Sequence, residues 1–515
     1  MELVEQKRVG WFPIGLTAVF LSLELVNVLH HAMWRDELQV WMIARHSHSI
    51  AELVSLKKYD GHPDAWYLVV YLITKITNHP IWMQVFHASI ASITVYVIAR
   101  YSPFTRVEKI LIVFGYFLFF EYATISREYA LVVLGFFTFC VVFRAGPKKN
   151  YLLLALPLGF MCQASVYGVI LALSLIAAMV FEAFQAPSWR ESIVPQWRQL
   201  TLAAVIVTAS ICVSVLHMRP PSDGGFITHL NLGIRGLSDS LDMFWNSFVP
   251  IPQLTRTFWN SNVIRVHGSS SGFVALLGAV VFCISVLFFV RRPIVLFAYV
   301  CGAGALVLFK HIVFRGYMRH DGFAFILFLA CLWLASGFPE KRFPLTSVEQ
   351  IGNLFAPFQV RVLFVFLTIH TAVGLAASAA ALKIPFSQAQ ATAAFIRSNK
   401  MDQWTIIGDL DYYVSSIAGY LDRDVYYVKG NRRGSFIIWD RKRLIKPAER
   451  VMPFAARTAT ELHQEVLLIL NYPSDTFGQG VSEIASFKGA MAEDYYLYVV
   501  QPVQNSSTQA RGRRK

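Results

Sequence analysis

The sequence predicts a polytopic α-helical membrane protein, with about eleven transmembrane helices and a C-terminal α/β extracytoplasmic domain. Three observations lead there. Hydrophobic residues make up 55% of the 515 and charged residues only 15%, with mean hydropathy +0.48, whereas a soluble domain carries about 25% charged residues. The charges are also segregated: only Glu24, Glu121 and Glu182 stand well inside the long apolar runs. A bilayer imposes that segregation, because an ionised side chain at its centre costs roughly 2.5–3.5 kcal/mol. Finally, all six cysteines (Cys140, Cys162, Cys212, Cys283, Cys301 and Cys331) lie in apolar runs, so there is neither a disulfide framework nor a CxxC metal pair. The net charge of +14 fits Lys/Arg-rich cytoplasmic loops and requires no nucleic acid.

A spanning helix needs about 20 apolar residues. Runs that qualify or nearly do are 11–30, 83–100, 110–125, 129–144, 151–165, 168–185, 200–217, 271–290, 294–310, 321–337 and 362–380. The first has no small-x-small cleavage site after it and reads as an uncleaved helix. Residues 65–77, broken by Lys75, read as a juxtamembrane or re-entrant helix, and 151–185 as a hairpin turning at Gln163–Gly168. Orientation follows the Lys/Arg bias. With the N-terminus in the cytoplasm, the inner segments hold 15 Lys/Arg in 69 residues and the outer segments 13 in about 120. The first outer loop is then 31–82 and the largest 217–270, within a transmembrane domain of 1–382.

Residues 383–515 carry 18 Lys/Arg and 13 Asp/Glu and show soluble periodicity. SQAQATAAFIRSNK and YYVSSIAGYL read as helices; WTIIGD, DVYYV, GSFIIWD, EVLLILNY and DYYLYVV read as strands. This alternation predicts a small α/β accessory domain ending in a disordered NSSTQARGRRK tail. Asp409 and Asp411 at a strand end read as helix caps.

Four polar clusters fall on the outer face. They are His30, His31, Arg35, Asp36 and Glu37; Tyr59, Asp60, His62 and Asp64; Ser126, Arg127, Glu128 and Tyr129; and Lys310, His311, Arg315, Arg319, His320 and Asp321. Solvated helix flanks would look the same one cluster at a time. His311, Arg315 and Arg319 are spaced i, i+4, i+8, which in a helix makes one cationic stripe, suited to a phosphate or to lipid headgroups. Glu24, with Asn27, needs a partner or an aqueous cavity, for a structural hydrogen bond or a catalytic duty. The chain has no P-loop, no GxGxxG between strand and helix, and no HExxH. A cytoplasmic nucleotide-sugar donor is therefore unsupported, while a lipid-borne donor would need none of these motifs.

Four features carry a family resemblance: the acidic pair Asp36-Glu37, the His-Pro of GHPDAWYLVVYL before an aromatic helix, SREYAL after the third span, and RGYMRHDGFAFILF before a late one. In that order, over about residues 10–340, they resemble the GT-C superfamily of polyprenyl-phosphate-sugar-dependent membrane glycosyltransferases. The bacterial clan of protein O-mannosyltransferases and the lipid A aminoarabinose transferase is the nearest in pattern. Where many relatives have His-Pro-Pro, this chain has His62-Pro63-Asp64. The tail GDLDYYVSSIAGYLDRDVYY resembles an appended outer domain of some bacterial members. The resemblance implies transfer of a sugar from a polyprenyl-phosphate carrier to an extracytoplasmic polysaccharide, lipid or protein in the cell envelope, with inversion. It marks Asp36 as the base, with Glu37 in acceptor or metal contacts. Arg319, Arg127 and Arg315, then Lys310, His311 and His320, would bind the donor phosphate, with His62, Asp64, Arg35 and Tyr129 in support. An Asp-Glu pair near a histidine is compatible with a divalent metal on Glu37 and His62, or with none. A secondary transporter or flippase of lipid-linked sugars would also hold buried Glu and clustered Arg, but transporters often carry inverted repeats, and no motif here has a second copy. A catalytically dead scaffold presenting the 383–515 domain is the third reading.

Overall fold

The computed structural model describes residues 10–146, 149–185, 194–225, 230–253 except 235, 255, 257–265, 271–341, 346–474 except 446 and 448, and 480–503. The expected tail lies outside them. The chain forms two compact units, and chain order does not separate them. The first comprises Met1–His30, Gly61–Pro220 and Ile227–Lys383; the second comprises His31–Asp60, Pro221–Phe226 and Ile384–Lys515. The last segment of the second unit begins at Ile384, and the second unit also includes His31–Asp60 from the segment expected as the first outer loop.

In the first unit, seven helices among the described residues are long and apolar enough to cross a membrane: Trp11–His30, Ile81–Tyr101, Val166–Gln185, Val194–Met218, Pro293–Ile312, Met318–Ala335 and Ser347–Ala381. Shorter apolar helices occupy Ala65–Thr74, Tyr129–Val142, Tyr151–Ala164 and Gly272–Leu287. Seven of the eleven expected spans are therefore full-length and three are short. The eleventh, 110–125, is not one helix. A helix over Arg106–Val113 gives way to an extended Gly115 and a single wide π-type turn, Tyr116–Glu121. The helix Gln359–Ala381 presses on this break: a Cβ at Gly374 would stand 2.4 Å from the Phe114 carbonyl oxygen. Thr371 Oγ1 also donates to the Leu111 carbonyl at 2.8 Å, serving an acceptor that the broken helix leaves open. The expected hairpin turns at Ser165, where a Cβ on Gly168 would meet the Met161 carbonyl at 2.0 Å.

Met318–Ala335 is the central helix, with almost every residue buried, whereas Trp197–Met218 buries few and exposes Leu202, Val205 and Leu216. That outward apolar surface suits lipid. The three acidic residues inside apolar runs all have partners. Asn27 Nδ2 donates to Glu24 at 3.4 Å, and Ser378 Oγ of another helix donates to Asn27 Oδ1 at 2.7 Å. Glu24 thus belongs to a structural link between helices. Glu121 accepts from Tyr116 and Trp259, and Glu182 pairs with Lys149 at 2.8 Å.

The second unit holds a six-stranded sheet of β1 (Thr405–Asp409), β2 (Val425–Tyr427), β3 (Arg432–Gly434), β4 (Val466–Leu470), β5 (Val481–Phe487) and β6 (Tyr495–Val500), in the order β3-β2-β1-β4-β6-β5. β1 runs parallel to β2 and β4, and the other pairings are antiparallel. β4 is buried at every position, as a central strand must be. GSFIIWD is not a strand: only its first residue closes β3, and the rest runs irregularly. β5 and the helix Val451–Leu462 were not expected. The helix Arg35–His46 packs on Asp411–Leu421, where glycine at 419 leaves room for Leu38; a Cβ there would stand 3.1 Å from the Leu38 Cβ. Residues 221–226 join the same unit through Gly225 N–H to the Trp439 carbonyl and Arg441 N–H to the Asp223 carbonyl, at 2.8 and 2.7 Å.

Candidate active site

In the first unit His62, Arg127, Tyr129, Lys310, Arg319 and His320 gather around the start of the Met318–Ala335 helix. Arg127 donates through Nε and Nη2 to the Glu128 carboxylate at 3.0 and 3.3 Å, and through Nη2 to His62 Nε2 at 3.1 Å. Guanidinium has no acceptor, so Nε2 of His62 must be the bare nitrogen and Nδ1 carries the proton. That Nδ1 lies 3.1 Å from Glu128 Oε1. Burial alone would raise the Glu128 pKa. The Arg127 charge, His62 and these hydrogen bonds outweigh it and hold the group down at about 2. His87 secures the same loop, with Nδ1 2.8 Å from the Ala123 carbonyl and Nε2 2.9 Å from that of Arg127. Sequence reasoning missed His87 because a lone histidine in an apolar run carries no motif.

The 310–320 segment is not the continuous stripe that the i, i+4, i+8 spacing predicts. One helix ends at Ile312, Gly316 takes φ +70°, and a new helix starts at Met318. His311, Arg315 and Arg319 therefore do not share a helix face. His311 bonds the Gly233 carbonyl at 2.5 Å, and Arg315 is exposed. His320 is not a cation here. Its Nδ1 accepts the Tyr317 N–H at 2.8 Å, so the ring is neutral and its Nε2–H meets Tyr129 Oη at 2.9 Å. His320 and Tyr129 are both buried and hold the loop to the helix. Arg319 is 7% exposed, its guanidinium 5.0 Å from the Tyr317 ring and 5.5 Å from the Trp259 ring. Lys310 Nζ lies 2.7 Å from both Asp242 and Asp321. Asp64, at the start of its helix, pairs with His217 at 2.5 Å, which gives the residue after His-Pro a structural partner.

In the second unit, Asp36 stands in the first turn of its helix, partly exposed, with Oδ1 3.8 Å from Arg35 Nε. The Arg35 guanidinium lies over the rings of Trp34, Tyr412 and Tyr413. Glu37 is fully buried; its Oε2 accepts from His31 Nε2 at 2.8 Å and from the Trp34 N–H at 3.2 Å. Glu493, which no sequence signal marked, is buried and accepts from the Arg35 N–H, Ser387, Ser416 and Tyr495. Burial raises its pKa against the pull of Arg35. Asp411 is forked by Arg443 at 2.5 and 2.8 Å, so it stabilises the domain. For a metal, the two expected ligands do not fit: Glu37 is engaged by His31 and a backbone N–H, and both nitrogens of His62 face Arg127 and Glu128. Among the described residues no three His, Cys, Asp or Glu come together as a metal site.

Fold and side chains define a polytopic helical membrane protein with a C-terminal α/β domain and a buried basic and acidic network at one helix head. ArnT from Cupriavidus metallidurans, solved bound to undecaprenyl phosphate, matches this structure with a TM-score of 0.50 at 12% identity, covering 94% of this chain and 97% of that one. Arabinofuranosyltransferase AftD from Mycobacteria gives a TM-score of 0.30 at 12% identity, covering 95% of this chain and 42% of that one. No family model and no curated protein matches the chain. The likeness to ArnT is one of fold.

Proposed function

We propose that the chain transfers a sugar from a polyprenyl-phosphate carrier to an acceptor outside the cytoplasmic membrane, with inversion at the anomeric carbon. One observation carries the reading. A buried arginine, Arg319, stands in the first turn of the central helix, in a chain similar from end to end to one solved with a lipid phosphate. As the glycosidic bond breaks, the leaving phosphate gains negative charge, which a fixed guanidinium stabilises more in the transition state than in the ground state. The positive end of the helix dipole acts in the same direction. Arg319 is the first phosphate ligand in this reading, with Arg127 and Arg315 next. Asp36 takes the acceptor proton, and Glu37 positions the turn that carries it. The acceptor is an envelope polysaccharide, lipid or protein, and the sugar a hexose or a pentose.

Arg319→Lys keeps the charge but not the planar fork that matches phosphate. Turnover of polyprenyl-phosphate-linked sugars should fall roughly 10²-fold, with the thermal midpoint of the purified protein unchanged. Near-normal turnover would point to a cation that merely reaches lipid headgroups.

A further inference from the structure

We propose that the cavity at the head of the Met318–Ala335 helix holds the sugar of the donor through its O–H or N–H groups, and not the carrier phosphate. This rests on the transferase reading above and names the part of the substrate bound there. The cavity measures about 110 Å³ and is lined by Asp242, Asn246, Asn260, Lys310, Arg315 and Asp321 among others. One water needs only about 10–15 Å³, so the space suits a larger polar group.

The wall is built to accept hydrogen bonds. Lys310 bridges Asp242 and Asp321 at 2.7 Å each, and an ammonium held by two carboxylates is a poor ligand for a further anion. Asn246 Nδ2 donates to Asp321 Oδ2 at 2.7 Å. A carboxylate can only accept, which fixes the amide: its nitrogen faces Asp321 and its oxygen turns away. Asn246 is 3% exposed, and among the described residues nothing donates to its Oδ1; the same holds for Asn260 Oδ1. Buried acceptors are normally satisfied. A phosphate oxygen cannot satisfy an amide carbonyl, whereas a sugar hydroxyl or amine can. Arg315, exposed at the rim, is placed to meet the phosphate that follows the sugar.

Two variants of the full-length protein test this. Asn246→Ala removes the buried acceptor. Asn260→Gly removes the second at a residue with φ +59°, which glycine adopts freely. Binding is measured for bare undecaprenyl phosphate and for undecaprenyl phosphate carrying a hexose or a pentose. Each variant should weaken a sugar-bearing lipid about tenfold, the loss of one hydrogen bond, and leave the bare lipid within about twofold. Equal losses on both lipids would make the cavity a phosphate site and overturn the proposal. Unchanged affinity for both would also overturn it. A wild-type protein that binds neither lipid would instead remove the transferase reading beneath it.

Discussion

Gln39 and Ile437 hold each other by two hydrogen bonds: Gln39 Nε2 donates to the Ile437 carbonyl at 2.7 Å, and the Ile437 N–H donates to Gln39 Oε1 at 2.8 Å. A side-chain amide thus stands in for a strand partner. It completes the irregular segment after β3, which has no sheet neighbour there to satisfy it. Gln39→Leu should strand both backbone groups and cost about 2–4 kcal/mol, read as a lower unfolding midpoint of the full-length protein in detergent. A loss below about 0.5 kcal/mol would mean that water replaces the amide.

Glu128 links acid to stability. Its pKa moves from 4.5 to about 2, so it adds about 3 kcal/mol above pH 4.5. A depressed carboxylate loses that contribution as pH falls through its folded value, between about pH 4.5 and 2. Glu128→Gln should lower the unfolding midpoint at pH 7, and the gap to wild type should narrow over that acid window. A gap independent of pH would show that packing, not charge, is what the substitution removes.

Asp36 and Glu37 should part company on substitution. Asp36→Asn should reduce transfer by about 10²–10⁴-fold, the usual contribution of a positioned base, with little change in stability. Glu37→Gln should act mainly on stability, by about 1–3 kcal/mol, because His31 and the Trp34 N–H both rely on its carboxylate. More than about a tenth of wild-type turnover in Asp36→Asn, short of the typical 10²-fold loss, would exclude it as the base.

From the Lys/Arg bias we propose that residues after 383 lie outside the cytoplasm. A periplasm-active reporter fused after residue 385 should be active and a cytoplasm-active one silent. The reverse pattern would invert every late segment.

Much of this architecture was legible in the sequence because the bilayer writes run length and charge placement directly into composition. The helices at 11–30, 81–101 and 166–185 fall within two residues of the apolar runs. Apolarity does not report a break, however, so 110–125 read as one helix although Gly115 and the neighbouring Gly374 divide it. β5 carries Ser482 and Glu483 on an exposed edge without clean alternation, which left it unmarked. At the site, motifs identified the cations and two of their counter-ions, Glu128 and Asp321, but not the second carboxylate on Lys310, Asp242. Asp242, Asn246 and His87 lie 36 or more positions from the groups they hold, and no local pattern encodes such a distance.

The packing of Arg35–His46 against Asp411–Leu421 sets a timetable for synthesis. The ribosome releases the first segment well over 300 residues before the second. At 5–20 residues per second the wait is on the order of 20–70 s. For that interval Leu38, Trp41 and Met42, all buried in the finished molecule, have no domain to enter. The nascent protein therefore carries these apolar side chains without their packing partner through most of its synthesis.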